Sequence, residues 1–136
     1  MREMFRPDLV LTKAGRPMAT VEAKARPLSG AFETAALRQL QVFSSEVGSP
    51  WALLVDPKEM RIYNKEKRVA RLSTEEILRD VFPVAPKVVG EQTLLVAVNR
   101  WLGGLSRRRD FLTRHPELGE FVRDVEDAVA SLVVVA

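Results

Sequence analysis

Trp51-Ala52-Leu53-Leu54-Val55 is an unbroken apolar run, closed by the turn residues Asp56-Pro57-Lys58. A strand with one face in water alternates polar and apolar residues. A short strand without that alternation suits a sheet interior. This run therefore constrains the chain more than any other segment, because it needs strands beside it.

The candidates for those strands lie on either side. Asp8–Thr12 is a short β-rich run, and Lys13-Ala14-Gly15-Arg16-Pro17 carries turn residues. Met18–Ala25 alternates, with Ala19, Val21, Ala23 and Ala25 on one face and Thr20, Glu22 and Lys24 on the other. The two runs together predict a hairpin. Met60–Asn64 is a further alternating strand, and Val69–Leu72 is a shorter one.

Helical spacing fills the remainder. Ala31–Val47 has an apolar stripe at Ala35, Ala36, Leu40 and Phe43, with Gly48 just past its end. Ser73 and Glu76 form a capping box that opens a helix to about Val81. Pro83 and Pro86 then interrupt the chain. Glu91–Ser106 and Glu117 to about Val133 are both amphipathic. The order is β-β-α-β-β-(β)-α followed by two helices. It predicts an α/β fold: a mixed central sheet flanked by helices over residues 1–82, with a helical extension over 83–136. That extension packs on the core or on a partner.

The chain has 136 residues, the length of one ordinary domain. It has no cysteine, which excludes disulfides, zinc–thiolate sites and thiol catalysis. No apolar run approaches the roughly 20 residues that span a bilayer. Residues 1–6 lack the apolar core of a signal peptide. A cytoplasmic protein with no membrane partner is expected. The net charge of +3 permits nucleic-acid binding without requiring it.

The residues that point to chemistry sit on the hairpin. If it is symmetric about Gly15, Asp8 faces Glu22. Two carboxylates opposed across strands repel one another. A divalent cation between them turns that cost into a binding site, and hard oxygen ligands suit Mg²⁺. Lys24 lies two residues beyond Glu22, on the same sheet face. Its ammonium can orient a water or stabilise charge developing on a phosphate. Ala23 points the other way, but its backbone carbonyl can reach the same cation.

Pro7-Asp8 followed by Glu22-Ala23-Lys24 resembles the signature of the PD-(D/E)XK nuclease superfamily. Gln39-Leu40-Gln41-Val42-Phe43 on the following helix is similar to the Q-x-x-x-Y motif of its exonuclease-type branch, with Phe43 in place of tyrosine. The stretch from Ser49 to Lys65 resembles the strand-turn-strand of restriction-enzyme nuclease domains, above all that of type I motor subunits. The resemblance covers about Phe5–Leu72. Members usually place a helix before the first core strand, whereas only residues 1–7 precede Asp8 here.

The resemblance implies a restriction-endonuclease-like core. It implies metal ligation by Asp8 and Glu22, a water-orienting role for Lys24, and contact from Gln39 to the site or to a DNA phosphate. The implied reaction is Mg²⁺- or Mn²⁺-dependent hydrolysis of a DNA phosphodiester, in a restriction or repair accessory. Two other readings stand beside it. One is a nuclease fold that binds nucleic acid or a partner chain without cutting. The other is an assembly protein that uses its C-terminal helices.

The plainer reading of Glu22 and Lys24 is a charged, solvated strand face. Arg107-Arg108-Arg109 is the one dense basic run; it can contact phosphate or complement a helix C-terminal dipole. Trp51, Trp101 and Tyr63 are read as core before base-stacking residues. His115, the single histidine, falls in an interhelical turn before Pro116. The apolar tail Ser131–Ala136 needs cover, from this chain or from a second copy in a homodimer.

Overall fold

A computed structural model describes residues 7–132. Six strands form one sheet: β1 Leu9–Lys13, β2 Arg16–Ala23, β3 Trp51–Val55, β4 Glu59–Asn64, β5 Lys67–Ser73 and β6 Val129–Leu132, in the order β5-β4-β3-β2-β1-β6. Among the described strand pairs only β2 and β3 are parallel. They need a crossover, and the helix α1, Gly30–Val47, provides it.

The β1–β2 turn places both Ala14 (φ 53°) and Gly15 (φ 76°) in the left-handed region, the backbone of a type I′ hairpin. A bulge between Leu11 and Thr12 shifts the register there. Beyond it Leu9 pairs with Val21, so Asp8 falls opposite Glu22 as the symmetric hairpin predicts.

Both faces of the sheet are covered. On one, Ala36 and Leu40 of α1 pack on Ala52, Leu54 and Tyr63. On the other, Leu9, Val21, Leu53, Val55 and Ile62 meet three helices: α2 Thr74–Val81, α3 Glu91–Gly104 and α5 Gly119–Val125. A six-residue helix, α4 Arg109–Arg114, joins α3 to α5. The apolar run that suited a sheet interior is buried at all five positions. Ser73 caps α2 as predicted, its hydroxyl accepting from the Glu76 amide.

Residues after Pro86 pack on the sheet. Leu94, Val98, Trp101, Phe121 and Val125 share one core with residues of β1–β5. Both tryptophans are buried there. Trp51 meets Phe121 edge-on and Trp101 meets Phe111 edge-on, so neither presents a face to a nucleic-acid base.

Three expectations need correction. The C-terminal extension is not wholly helical. The second helix ends at Val125, and Asp127 takes a left-handed turn (φ 63°), which an Asp tolerates better than most residues. The next residues then join the edge of β1, which would otherwise present unpaired backbone groups. The first part of the expected tail thus pairs within this chain; residues 133–136 lie outside those described. Residues 109–114 add a short helix between the two expected ones, and His115 lies at its end, before Pro116. Finally, Ala35 is exposed, and Ser44 replaces it on the buried stripe of α1. Ser44 can be buried because its hydroxyl bonds the Leu40 carbonyl and the Thr20 hydroxyl.

Candidate functional site

The hairpin register brings Asp8, Glu22 and Lys24 to the α1 side of the sheet, where β2 ends. Asp8 Oδ2 accepts from the Ala23 amide at 2.8 Å, which fixes its carboxylate against β2. Lys24 continues the β2 line by donating its amide to the Val55 carbonyl at 2.9 Å. Its ammonium stands 3.6 Å from Glu22 Oε1. Glu22 is not on a solvated strand face: its side chain is 7% exposed, against 36% for Lys24.

Glu22 Oε2 is buried and has no hydrogen-bond partner. Burial raises the Glu22 pKa, and the neighbouring charge of Asp8 raises it further. Lys24 offsets only part of this, leaving the Glu22 pKa at about 8. The carboxyl group therefore holds its proton into the neutral range.

Two carboxylates from adjacent strands with one orphaned buried oxygen form a hard donor set that fits a divalent cation keeping most of its waters. Asp8 and Glu22 would hold it. Among the described residues no cluster of three or more His, Cys, Asp or Glu side chains forms a larger ligand set.

Gln39 is exposed. Glu33 and Gln41 of the same helix reach Arg61 of β4 and the Lys65 carbonyl of the β4–β5 turn. At 100° per residue, Gln39 lies on the flank of α1 away from Gln41. Phe32, two turns earlier, shares that flank.

Arg107, Arg108 and Arg109 follow α3, in the helical layer on the other face of the sheet. They line a cavity of about 390 Å³ with Asp80 and Arg114, and Arg108 pairs with Asp80 at 2.6 Å. The fold does not bring them to the carboxylate pair. His115 pairs with Glu117 at the surface, away from that pair as well.

One group beside the site was not anticipated from the sequence. Asp56, at the end of β3, is 1% exposed and accepts from the amides of Leu28, Lys58 and Glu59. Arg61 donates to it at 3.1 Å and also meets Glu33 and Glu59. Burial works to raise the Asp56 pKa, but the three amides and the guanidinium outweigh it and hold the pKa below the ordinary value. Through Leu28 and Glu33 this hub anchors the loop between Lys24 and α1. The alternation of Met60–Asn64 placed Arg61 on a face; only the covering helix makes that face dry.

Among the described residues no helix is long and apolar enough to cross a membrane. Comparison of the chain with protein-family models, with curated proteins and with solved structures gave no match.

Proposed function

We propose that the chain is a divalent-metal-dependent nuclease domain of restriction-endonuclease-like type that hydrolyses DNA phosphodiesters. One observation carries this reading: Glu22, buried with an orphaned oxygen, is paired across the hairpin with Asp8 and flanked by Lys24. An ordinary strand face has no reason to bury a carboxyl group beside a second carboxylate, where its charged form is disfavoured. The order β1-β2-α1-β3-β4 agrees with the resemblance drawn from the sequence.

Mg²⁺ or Mn²⁺ at the pair would supply Lewis-acid charge to a phosphodiester and acidify a water. The chain's own groups divide the remaining work. Asp8, held by the Ala23 amide, fixes the position of the site. Glu22 gives up its proton on binding and provides the second carboxylate. Lys24, partly exposed beside Glu22, orients a water or neutralises charge developing on phosphate.

The test is cleavage of single-stranded and duplex DNA in Mg²⁺ and Mn²⁺ by the wild type and by Asp8→Ala, Glu22→Ala and Lys24→Ala. Each substitution is expected to abolish cleavage while the circular dichroism spectrum stays unchanged. No product from the folded wild type in either metal would overturn the nuclease reading. Ordinary cleavage by Lys24→Ala would overturn the role given to that lysine.

A further inference from the structure

Beside the carboxylate pair lies a cavity of about 490 Å³, within the range typical of ligand sites. Its polar lining is Lys24, Arg26, Ser29 and Glu91. Phe32 also lines it and is 82% exposed. The backbone explains the placement. β2 ends at Ala23, and the loop is tied down at Leu28 by Asp56. Gly30 then turns the chain into α1 with a left-handed φ of 54°, a conformation that other residues rarely adopt. The first turn of α1 consequently presents Phe32 beside two cationic side chains.

A single exposed apolar residue needs no explanation. Phe32 differs because it is a flat ring at the rim of a cavity, with Lys24 and Arg26 beside it and a carboxylate pair next door. Cations with an aromatic platform are the combination that binds unpaired nucleotides: the cations follow the phosphates and the ring stacks on a base. A duplex offers phosphates to such a site but keeps its bases stacked on each other. The charge balance of the cavity, with Glu91 as its one acid, favours a polyanion over a neutral or cationic ligand.

We propose that Phe32, Arg26 and Lys24 form a subsite for single-stranded DNA, with one base stacked on Phe32 and the adjoining phosphates on the two cations. The inference rests on the nuclease reading and narrows its substrate to strands with unpaired bases near the cut.

Binding is measured by fluorescence anisotropy, with a labelled oligothymidylate and a labelled duplex at low salt. The full chain carries Asp8→Asn and Glu22→Gln, so that no cutting occurs. In that background Phe32→Ala is expected to weaken oligothymidylate binding about tenfold, the size of one lost base stack, and duplex binding less than twofold. Phe32→Trp is expected to restore the single-strand affinity. Arg26→Ala is expected to weaken oligothymidylate binding and flatten its salt dependence.

Equal affinity for the two probes, or a Phe32→Ala variant that binds oligothymidylate as tightly as its parent, would overturn the subsite. Because Phe32 and Arg26 are exposed, their variants should melt with the parent. The two readings fail separately. Oligothymidylate binding that needs Phe32 in a chain that cuts nothing removes the nuclease and keeps the subsite. Duplex cleavage indifferent to Phe32 keeps the nuclease and removes the subsite.

Discussion

Lys24 Nζ stands 3.6 Å from Glu22 Oε1, yet the pair does not satisfy Glu22, whose other oxygen is buried without a partner. The proximity of a cation is too little to offset burial and the neighbouring Asp8. This imbalance makes the protonation of the carboxylate pair sensitive to pH and to substitution.

Glu22 has a folded-state pKa near 8, raised from its ordinary 4.5. A raised carboxylate pKa means that the folded state binds the proton more tightly than the unfolded state. Its contribution to stability is therefore fully present below about 4.5 and is lost as pH rises to about 8. Glu22→Gln is neutral at every pH. It should match the wild type in thermal unfolding at pH 4.5 and melt several degrees above it at pH 9, without metal. Equal melting temperatures at pH 9 would mean that Glu22 is not desolvated.

If the pair holds a divalent cation, as proposed, its binding displaces the Glu22 proton. Mn²⁺ titrations at pH 7 in buffers of different ionisation heat should reveal release of nearly one proton per cation. Affinity should rise with pH until about 8 and then level off. Asp8→Asn/Glu22→Gln should bind no cation. Binding that survives in the double variant would place the metal elsewhere.

Asp56 and Arg61 are 1% and 2% exposed, so their pairing is screened very little. Asp56→Ala strips three amides and a guanidinium of their acceptor. Urea unfolding should show a loss of about 3–5 kcal/mol. The depressed Asp56 pKa adds stability above the ordinary carboxylate range that is lost as pH falls through the folded value, so Asp56→Asn should also reduce the acid sensitivity of unfolding. A loss under about 1 kcal/mol for Asp56→Ala would show that Glu33 and Glu59 suffice for Arg61.

Phe121 is wholly buried, edge-on to Trp51, and β6 closes the β1 edge. Phe121→Ala should cost about 3–5 kcal/mol. A chain cut after Phe82 should show neither the circular dichroism nor the cooperative unfolding of the whole, because it loses every helix that covers one face of the sheet except α2. Cooperative unfolding of residues 1–82 alone would make them an independent unit.

The local elements were legible in the sequence because short-range chemistry determines them. Alternation gave β2 and β4, the continuous run gave β3, the Ser73–Glu76 pair gave the start of α2, and Gly15 gave the hairpin turn, while the bulge between Leu11 and Thr12 completes the register that opposes Asp8 to Glu22. The candidate site was legible for the same reason: its three residues lie on one hairpin. Tertiary structure decided what covers each surface. A strand sequence such as Thr20-Val21-Glu22 reads as half-solvated, and only α1 across its polar face buries Glu22 and shifts its proton affinity. The segment Val129–Leu132 is equally compatible with helix and strand until the open edge of β1 supplies partners for its backbone. Arg61 is an ordinary strand arginine until Asp56, Glu33 and Glu59 converge on it from three directions. Burial and long-range pairing depend on residues far apart in the chain, so no local pattern encodes them.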